Sequence, residues 1–432
     1  MSQRLQVSDN RRYLTFENGE PFFYLGDTAW ELFHRLNREE ADFYLETRAA
    51  QGFTVIQAVV LAEHEYAQPN PYGDLPLHDN DPTRPNEAYF QHVDYIVDRA
   101  AELGMVVGML PTWGDKWNKK WGQGPEIFTP KNAHAFGVYV GRRYREKPII
   151  WILGGDRPIE SEGHTEIIRA MAAGVSEGDG GRHLRTWHPQ GGQSSSQYFH
   201  AEDWLDFNMY QTGHSRNRDC YNLIAGDYAL TPTKPCMDAE PGYEDHPNGF
   251  KAENGYLDAY DVRKSAYWDL FAGAHGHTYG CHDIWQFLDT SRFPAVSAAR
   301  TPWREAIQLP GAWQMQWARK LIDSRPFLSR IPDQAVLLSD PEIGGDHVRA
   351  TRNDDGAYAF VYIPSGKPVT VDLSRLSGQT ISTHWYDPRT GAATAIGAFP
   401  QGQAQEFTPP SDGPDWVLVL DDAAHAFATP GL

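Results

Sequence analysis

Ile149-Ile150-Trp151-Ile152-Leu153-Gly154-Gly155-Asp156-Arg157-Pro158 is the stretch on which the reading of this 432-residue chain turns. Its first five residues are all apolar, which describes a strand covered on both faces, as in a parallel sheet flanked by helices. The strand runs directly into two glycines and an aspartate. Functional groups of such sheets gather at the carboxyl ends of the strands, so the stretch also predicts a carboxylate, Asp156, at the mouth of a site. The plainer alternative is an aspartate that caps the next loop.

Similar runs lie on both sides of it. Phe22 to Asp27, Thr54 to Leu61 and Met105 to Leu110 precede it, and His183 to His188, Asp206 to Gln211, Pro235 to Glu240 and Thr278 to Phe287 follow. Amphipathic segments alternate with these runs. Asn37 with Glu40 three residues later predicts a capping box. Phe90, Val93, Val97 and Ala100 share a helix face that Gly104 ends, and Thr129-Pro130 opens another helix. Further helices are expected over 164–176, 258–274 and 304–324. Eight strand–helix units in about 300 residues predict an α/β fold, a (β/α)8 TIM barrel. The rival, an open doubly wound sheet, lacks its glycine-rich phosphate fingerprint after the first strand.

Near Ser329-Arg330-Ile331-Pro332-Asp333 the pattern changes to short alternating runs: Ala335 to Leu338, Ala357 to Ile363, Val369 to Leu373, Thr380 to Tyr386 and Trp416 to Leu420. Turn signals separate them, so a small all-β antiparallel sandwich is predicted over 329–432, after a barrel over 1–328. A hairpin around Glu17-Asn18-Gly19 would either cap the barrel floor or extend the sandwich.

Composition narrows the partners. Lysine plus arginine number 38 and aspartate plus glutamate 57, a net charge of −19, which argues against nucleic acid or an anionic membrane. Fourteen Trp and 21 Tyr, many beside glycine and polar residues, suit a flat, hydroxyl-rich ligand. Cys220, Cys236 and Cys281 form no disulfide framework. The N-terminus has no signal-peptide pattern and no stretch is long enough to span a membrane, so a cytoplasmic location is expected.

A second strand ends in acid: Cys236-Met237-Asp238-Ala239-Glu240-Pro241-Gly242. As strands four and seven of a barrel, the two acidic ends lie on opposite sides and can face one another across its mouth. Two facing carboxyls are the requirement of glycoside hydrolysis, with a separation of about 5–5.5 Å for retention and about 6.5–9.5 Å for inversion. Asp238, two residues from Glu240, is a supporting acid or an alternative. Other strand ends offer groups that suit a sugar: Asp27 with Trp30, Glu63 with His64, and Trp113 with Asp115. Trp187 with His188, Tyr210 with Gln211, and His282 with Trp285 continue the set. A tryptophan at one strand end is more often a packed rim residue; recurrence at six ends favours a carbohydrate substrate. His275-Gly276-His277 has a metal-ligand spacing, but no H-E-x-x-H or cysteine pair supports it. No G-x-S-x-G or Walker loop occurs. Neither a metal nor a cofactor is expected.

Tyr24 to Trp30, Trp151 to Asp156, Asp238 to Pro241 and His282 to Phe287 together resemble the apiosidase-like proteins of glycoside hydrolase family 140. The resemblance extends over nearly the whole chain, including a C-terminal module often labelled collagen-binding, which is expected here to buttress the barrel. It implies a (β/α)8 barrel and a retaining mechanism that releases apiose from pectin side chains, with Asp156 matching the acid/base and Glu240 the nucleophile. Other furanosides, arabinofuranosides for instance, remain alternatives, as does a carbohydrate-binding protein that has lost catalysis. The acidic surface favours a neutral or trimmed substrate over polymeric pectin.

Overall fold

The computed structural model describes residues 4–432. Parallel strands are β1 (Tyr24–Thr28), β2 (Val55–Leu61), β3 (Val106–Thr112), β4 (Ile149–Gly154), β5 (Arg185–His188), β6 (Asn208–Gln211), β7 (Cys236–Asp238) and β8 (Gly276–Tyr279). Alternation along β4 decides its two faces. Ile150 and Ile152 point inward with Tyr24, Val55, Phe207 and Met209, while Ile149, Trp151 and Leu153 join the outer layer under the helices. Seven main helices form that layer: α1 (Arg38–Ala50), α2 (Glu87–Glu102), α3 (Pro130–Tyr144), α4 (Glu162–Asp179), α5 (Cys220–Tyr228), α6 (Ala259–Phe271) and α7 (Pro310–Asp323). The predicted capping box is present: Asn37 Oδ1 accepts from Glu40 N at 2.8 Å, and Glu40 Oε2 accepts from Asn37 N at 3.0 Å.

The ladder is continuous in the order β8-β1-β2-β3-β4-β5, while β7 and β6 pair in parallel in a separate three-stranded sheet that the two-residue antiparallel strand Gln193–Ser194 completes. Isolated backbone bonds bridge the seams, Asp206 N to Arg185 O at 2.8 Å and His275 N to Cys236 O at 3.0 Å. In hydrogen-bonded terms the expected eight-stranded barrel is therefore a six-stranded half-barrel plus this smaller sheet. The four strands from β5 onward are only three or four residues long, which leaves little edge for pairing. Thr278 to Phe287 is not one strand: β8 stops at Tyr279, and His282–Trp285 is a short helix. Strands Leu5–Val7, Leu14–Phe16 and Pro21–Phe22 form a small antiparallel sheet. Its Leu14 and Phe22 close the floor of the inner cluster.

Beyond residue 329 come β9 (Arg330–Pro332), β10 (Arg349–Asn353), β11 (Tyr358–Ile363), β12 (Val369–Asp372), β13 (Thr380–Tyr386), β14 (Ala393–Pro400), β15 (Ala404–Phe407) and β16 (Trp416–Asp422). Six form an antiparallel sheet in the order β9-β10-β11-β16-β13-β14, and β12 pairs with β15. Ala335 to Leu338, read as a strand, is mostly a 3-10 turn, Gln334–Val336, capped by the Asp333 side chain. The sheet lies against α6, where Tyr267 stacks on Tyr362 at 5.0 Å. Arg263 and Asp415 close this contact with a buried bidentate pair, at 2.8 and 2.6 Å.

Candidate active site

At the end of β4, Gly154, Gly155 and Asp156 take φ values of 90°, 129° and 44° in succession. A Cβ on Gly154 would lie 2.4 Å from Trp187 Nε1, and one on Gly155 would lie 2.7 Å from the Trp113 ring. Only glycine fits the first two positions, and Asp156 carries left-handed strain of about 1–3 kcal/mol. The turn delivers its carboxyl, about a quarter exposed, into a cavity of about 620 Å³ that Glu240 also lines.

Glu240 stands two residues past β7 and is 5% exposed. Two imidazoles hold it: His214 Nε2 is 3.1 Å from Oε1, and His188 Nε2 is 3.2 Å from Oε2. Each ring donates from Nδ1 to a carbonyl, His188 to Pro189 O at 2.9 Å and His214 to Pro241 O at 3.1 Å. The Tyr243 hydroxyl, which accepts from Trp30 Nε1 at 3.1 Å, also faces this carboxylate. Burial alone would raise the Glu240 pKa; the hydrogen bonds and charge of His188 and His214 outweigh it and hold the group well below the ordinary glutamate value. Asp156 moves the other way. Burial and then the Glu240 charge raise it, against the smaller opposing effects of Arg157, His188 and Trp121. The two carboxyls are thereby displaced in opposite directions, the pattern that separates an acid from a carboxylate in one site.

Buried Arg157 ties this corner together, donating from Nη1 to Asp156 Oδ2 at 3.1 Å and from Nη2 to Glu63. Burial lifts Glu63 to about 7 against the pull of Arg157. Glu31, which accepts from His64 N at 3.1 Å, is likewise lifted to about 7 by burial. Four carboxyl groups therefore share one cavity. On the far wall the rings of His214, His246 and His282 succeed one another at 4.3 Å. Burial lowers His282 to about 4 and His246 to about 2, with His214 also lowering the latter. His282 is a neutral tautomer, its Nδ1 accepting from Trp285 Nε1 at 3.2 Å and its Nε2 donating to Ser297 O at 3.0 Å. Among the described residues no group of three or more His, Cys, Asp or Glu is placed to hold a metal ion.

Of the strand-end residues singled out in the sequence, Trp30, Glu63, His64 and Trp113 line the cavity, as do Gln211, His282 and Trp285. His188 sits behind Glu240. The remainder lie outside the lining. Asp27 is buried against Arg48 at 2.7 Å and Tyr44, and Asp115 pairs with buried Lys116 at 2.8 Å. Trp187 is buried against Tyr198 and Phe199. Tyr210 donates to Gly192 O at 3.3 Å, and Asp238 accepts from Thr212 and from Glu240 N at 3.2 Å. These side chains support the walls because strand alternation or an adjacent cation turns them into the core. Glu31, Trp121, His214, Tyr243, His246 and Phe250 also line the cavity. Most stand on loops beyond strand ends, where periodicity gives no signal; Glu31 alone had one, as neighbour of Trp30.

A solved structure described as a glycoside hydrolase is 35% identical to this chain, covering 98% of it and 97% of its own length, with a TM-score of 0.89. Another, a glycoside hydrolase family 5 protein from Bacteroides vulgatus, is 34% identical over 99% of this chain and 95% of its own, with a TM-score of 0.91. With two carboxyls, Asp156 and Glu240, lining one cavity beyond the strand ends, the protein is a glycoside hydrolase. Residues 8–329 match the family model "Apiosidase-like, catalytic domain", and the chain belongs to that family. Residues 331–421 match the model "Putative collagen-binding domain of a collagenase". No curated protein matches the chain.

Proposed function

We propose that the protein is a retaining glycosidase of the family 140 type that removes a terminal pentofuranosyl unit, apiose first, from plant-derived oligosaccharides. The observation that carries this reading is the opposite displacement of Asp156 and Glu240 within one cavity. Asp156 gives its proton to the glycosidic oxygen while Glu240 attacks the anomeric carbon, forming a covalent glycosyl-enzyme. Asp156, now ionised, takes a proton from water; the resulting hydroxide attacks the anomeric carbon and releases Glu240. A nucleophile with an imidazole at each oxygen is oriented as well as ionised. Tryptophan walls at Trp30 and Trp113 suit a single small ring at the bottom of the cavity, which supports removal from a chain end. The single bonds at the two sheet seams support a closed (β/α)8 barrel.

A panel of aryl pentofuranosides and pectic oligosaccharides, with the first-formed anomer followed by NMR, tests the reading. Retained configuration on apiosides is expected. An inverted first product would remove Glu240 from the nucleophile role, and sugar binding without hydrolysis at any pH would favour a carbohydrate-binding protein.

A further inference from the structure

Two large aromatics at the cavity lining are left open to water: Trp121, 60% exposed, and Phe250, 65% exposed. Single exposed aromatics are ordinary. These two share one cavity, and Phe250 is held there at some cost. Phe250 has a φ of 64° and follows Gly249 at 65°, an outlier for a bulky side chain. It presents its ring edge-on to His246 at 4.8 Å and to His214 at 5.6 Å, and the Gly249 N–H donates to His214 O at 2.9 Å. Its loop is thus fastened to the histidine that holds Glu240. Trp121 lies over the Arg157 guanidinium at 4.8 Å and points its Nε1 at Asp156 Oδ2, 3.4 Å away. Its loop is anchored by buried Asp115, which accepts from Gly124 N at 2.7 Å.

Asp156 delivers its proton to the oxygen of the departing group, so whatever is attached beyond that oxygen passes Trp121. We infer that Trp121 and Phe250 form a clamp for the leaving group, and that the substrate carries at least one further sugar ring beyond the cleaved bond, stacked by its apolar face between them. This rests on the reading of Asp156 as the acid. It assigns specificity to the part of the substrate that is released, whereas Trp30 and Trp113 surround the part that is transferred.

The test compares kcat/KM for methyl apiofuranoside with that for an apiose-terminated trisaccharide. Wild type is expected to prefer the trisaccharide. Trp121→Ala and Phe250→Ala should each lose at least about tenfold more on the trisaccharide than on the methyl glycoside, whereas Trp121→Phe and Phe250→Trp should keep most of the preference. Equal losses on both substrates, with unfolding curves like wild type, overturn the clamp. A second readout needs neither apiose nor turnover: calorimetry of the wild type with cellobiose, xylobiose and a rhamnosyl disaccharide. Binding weakened about tenfold by either alanine variant supports the clamp, and binding of none of the three overturns it. Failure to hydrolyse any apioside, with disaccharide binding intact, would instead overturn the sugar assigned under the proposed function.

Discussion

Asp156 and Glu240 are chemically similar residues made unlike by their neighbours, and this difference dictates the pH behaviour. In the proposed mechanism Asp156 must hold its proton, so activity falls as pH rises through its raised pKa. Glu240 must be ionised, so activity falls only as pH drops through a value below that of an ordinary glutamate. The kcat/KM profile is expected to be bell-shaped with an unusually acidic lower limb. Glu63 and Glu31 also titrate near 7, so the upper limb needs assignment. In Asp156→Ala, measured on an aryl glycoside with a good leaving group, that limb should vanish while kcat/KM falls little and kcat, limited by the second step, falls more; on unactivated substrates the loss in kcat/KM should reach about 10²–10⁴-fold. Persistence of the limb would assign it to Glu63 or Glu31. Trp121→Phe removes a hydrogen bond that favours ionised Asp156, so its upper limb should move to higher pH. Glu240→Gln should bind substrate without turning it over, and near-normal hydrolysis would remove its assigned role. Both acids were legible in the sequence because each ends an apolar run. The histidines that make Glu240 different were not legible as such: His188 could be placed at a strand end but not paired with a carboxylate, and His214 lies in a loop.

Elements were read most accurately where one physical signal acts alone. β4 is continuous apolar sequence, and α1 opens on a capping box that satisfies backbone donors in sequence order. Thr278 to Phe287 failed because a strand, a tight turn and a four-residue helix share one buried, aromatic-rich stretch, and burial erases periodicity. Ala335 to Leu338 failed because an aspartate side chain cap competes with ladder pairing. The loop between β3 and α3 carries Trp121 to the cavity, yet Asp115 reads in sequence as a sugar contact. In the structure it neutralises Lys116, whose Nζ is fully buried, and holds the Gly124 backbone. Asp115→Ala leaves that ammonium unpaired and should cost about 3–5 kcal/mol. Urea unfolding measures the loss, and amide exchange should rise first in residues 117–128. Unchanged stability would return Asp115 to the role of a sugar ligand.

At the scale of the whole molecule, charge and domain contact constrain function separately. Buried acids outnumber buried lysines and arginines, so the solvent-facing charge is smaller than the −19 of the whole chain but keeps its negative sign. An oligosaccharide rich in uronates should therefore be cleaved faster as salt screens the repulsion, while a neutral one should be indifferent to ionic strength. The C-terminal sheet shares the main hydrophobic core, with Tyr358, Phe360 and Tyr362 packed in the same cluster as Tyr267 and Phe271. A module whose only purpose was to reach a distant ligand would have no need of this. The contact is sealed by the Arg263–Asp415 pair, both side chains at most 3% exposed, with Tyr362 donating to Asp415 at 3.0 Å. Removing Asp415 strands a buried guanidinium and a buried hydroxyl, so Asp415→Ala should lose about 3–5 kcal/mol. Because neither residue lines the cavity, kcat/KM measured well below the new Tm should match wild type. Calorimetric unfolding should also remain a single transition, since the two parts share one core. A variant that instead melts in two steps, with the catalytic half at its original temperature, would show that the sheet is an independent appendage and not a buttress.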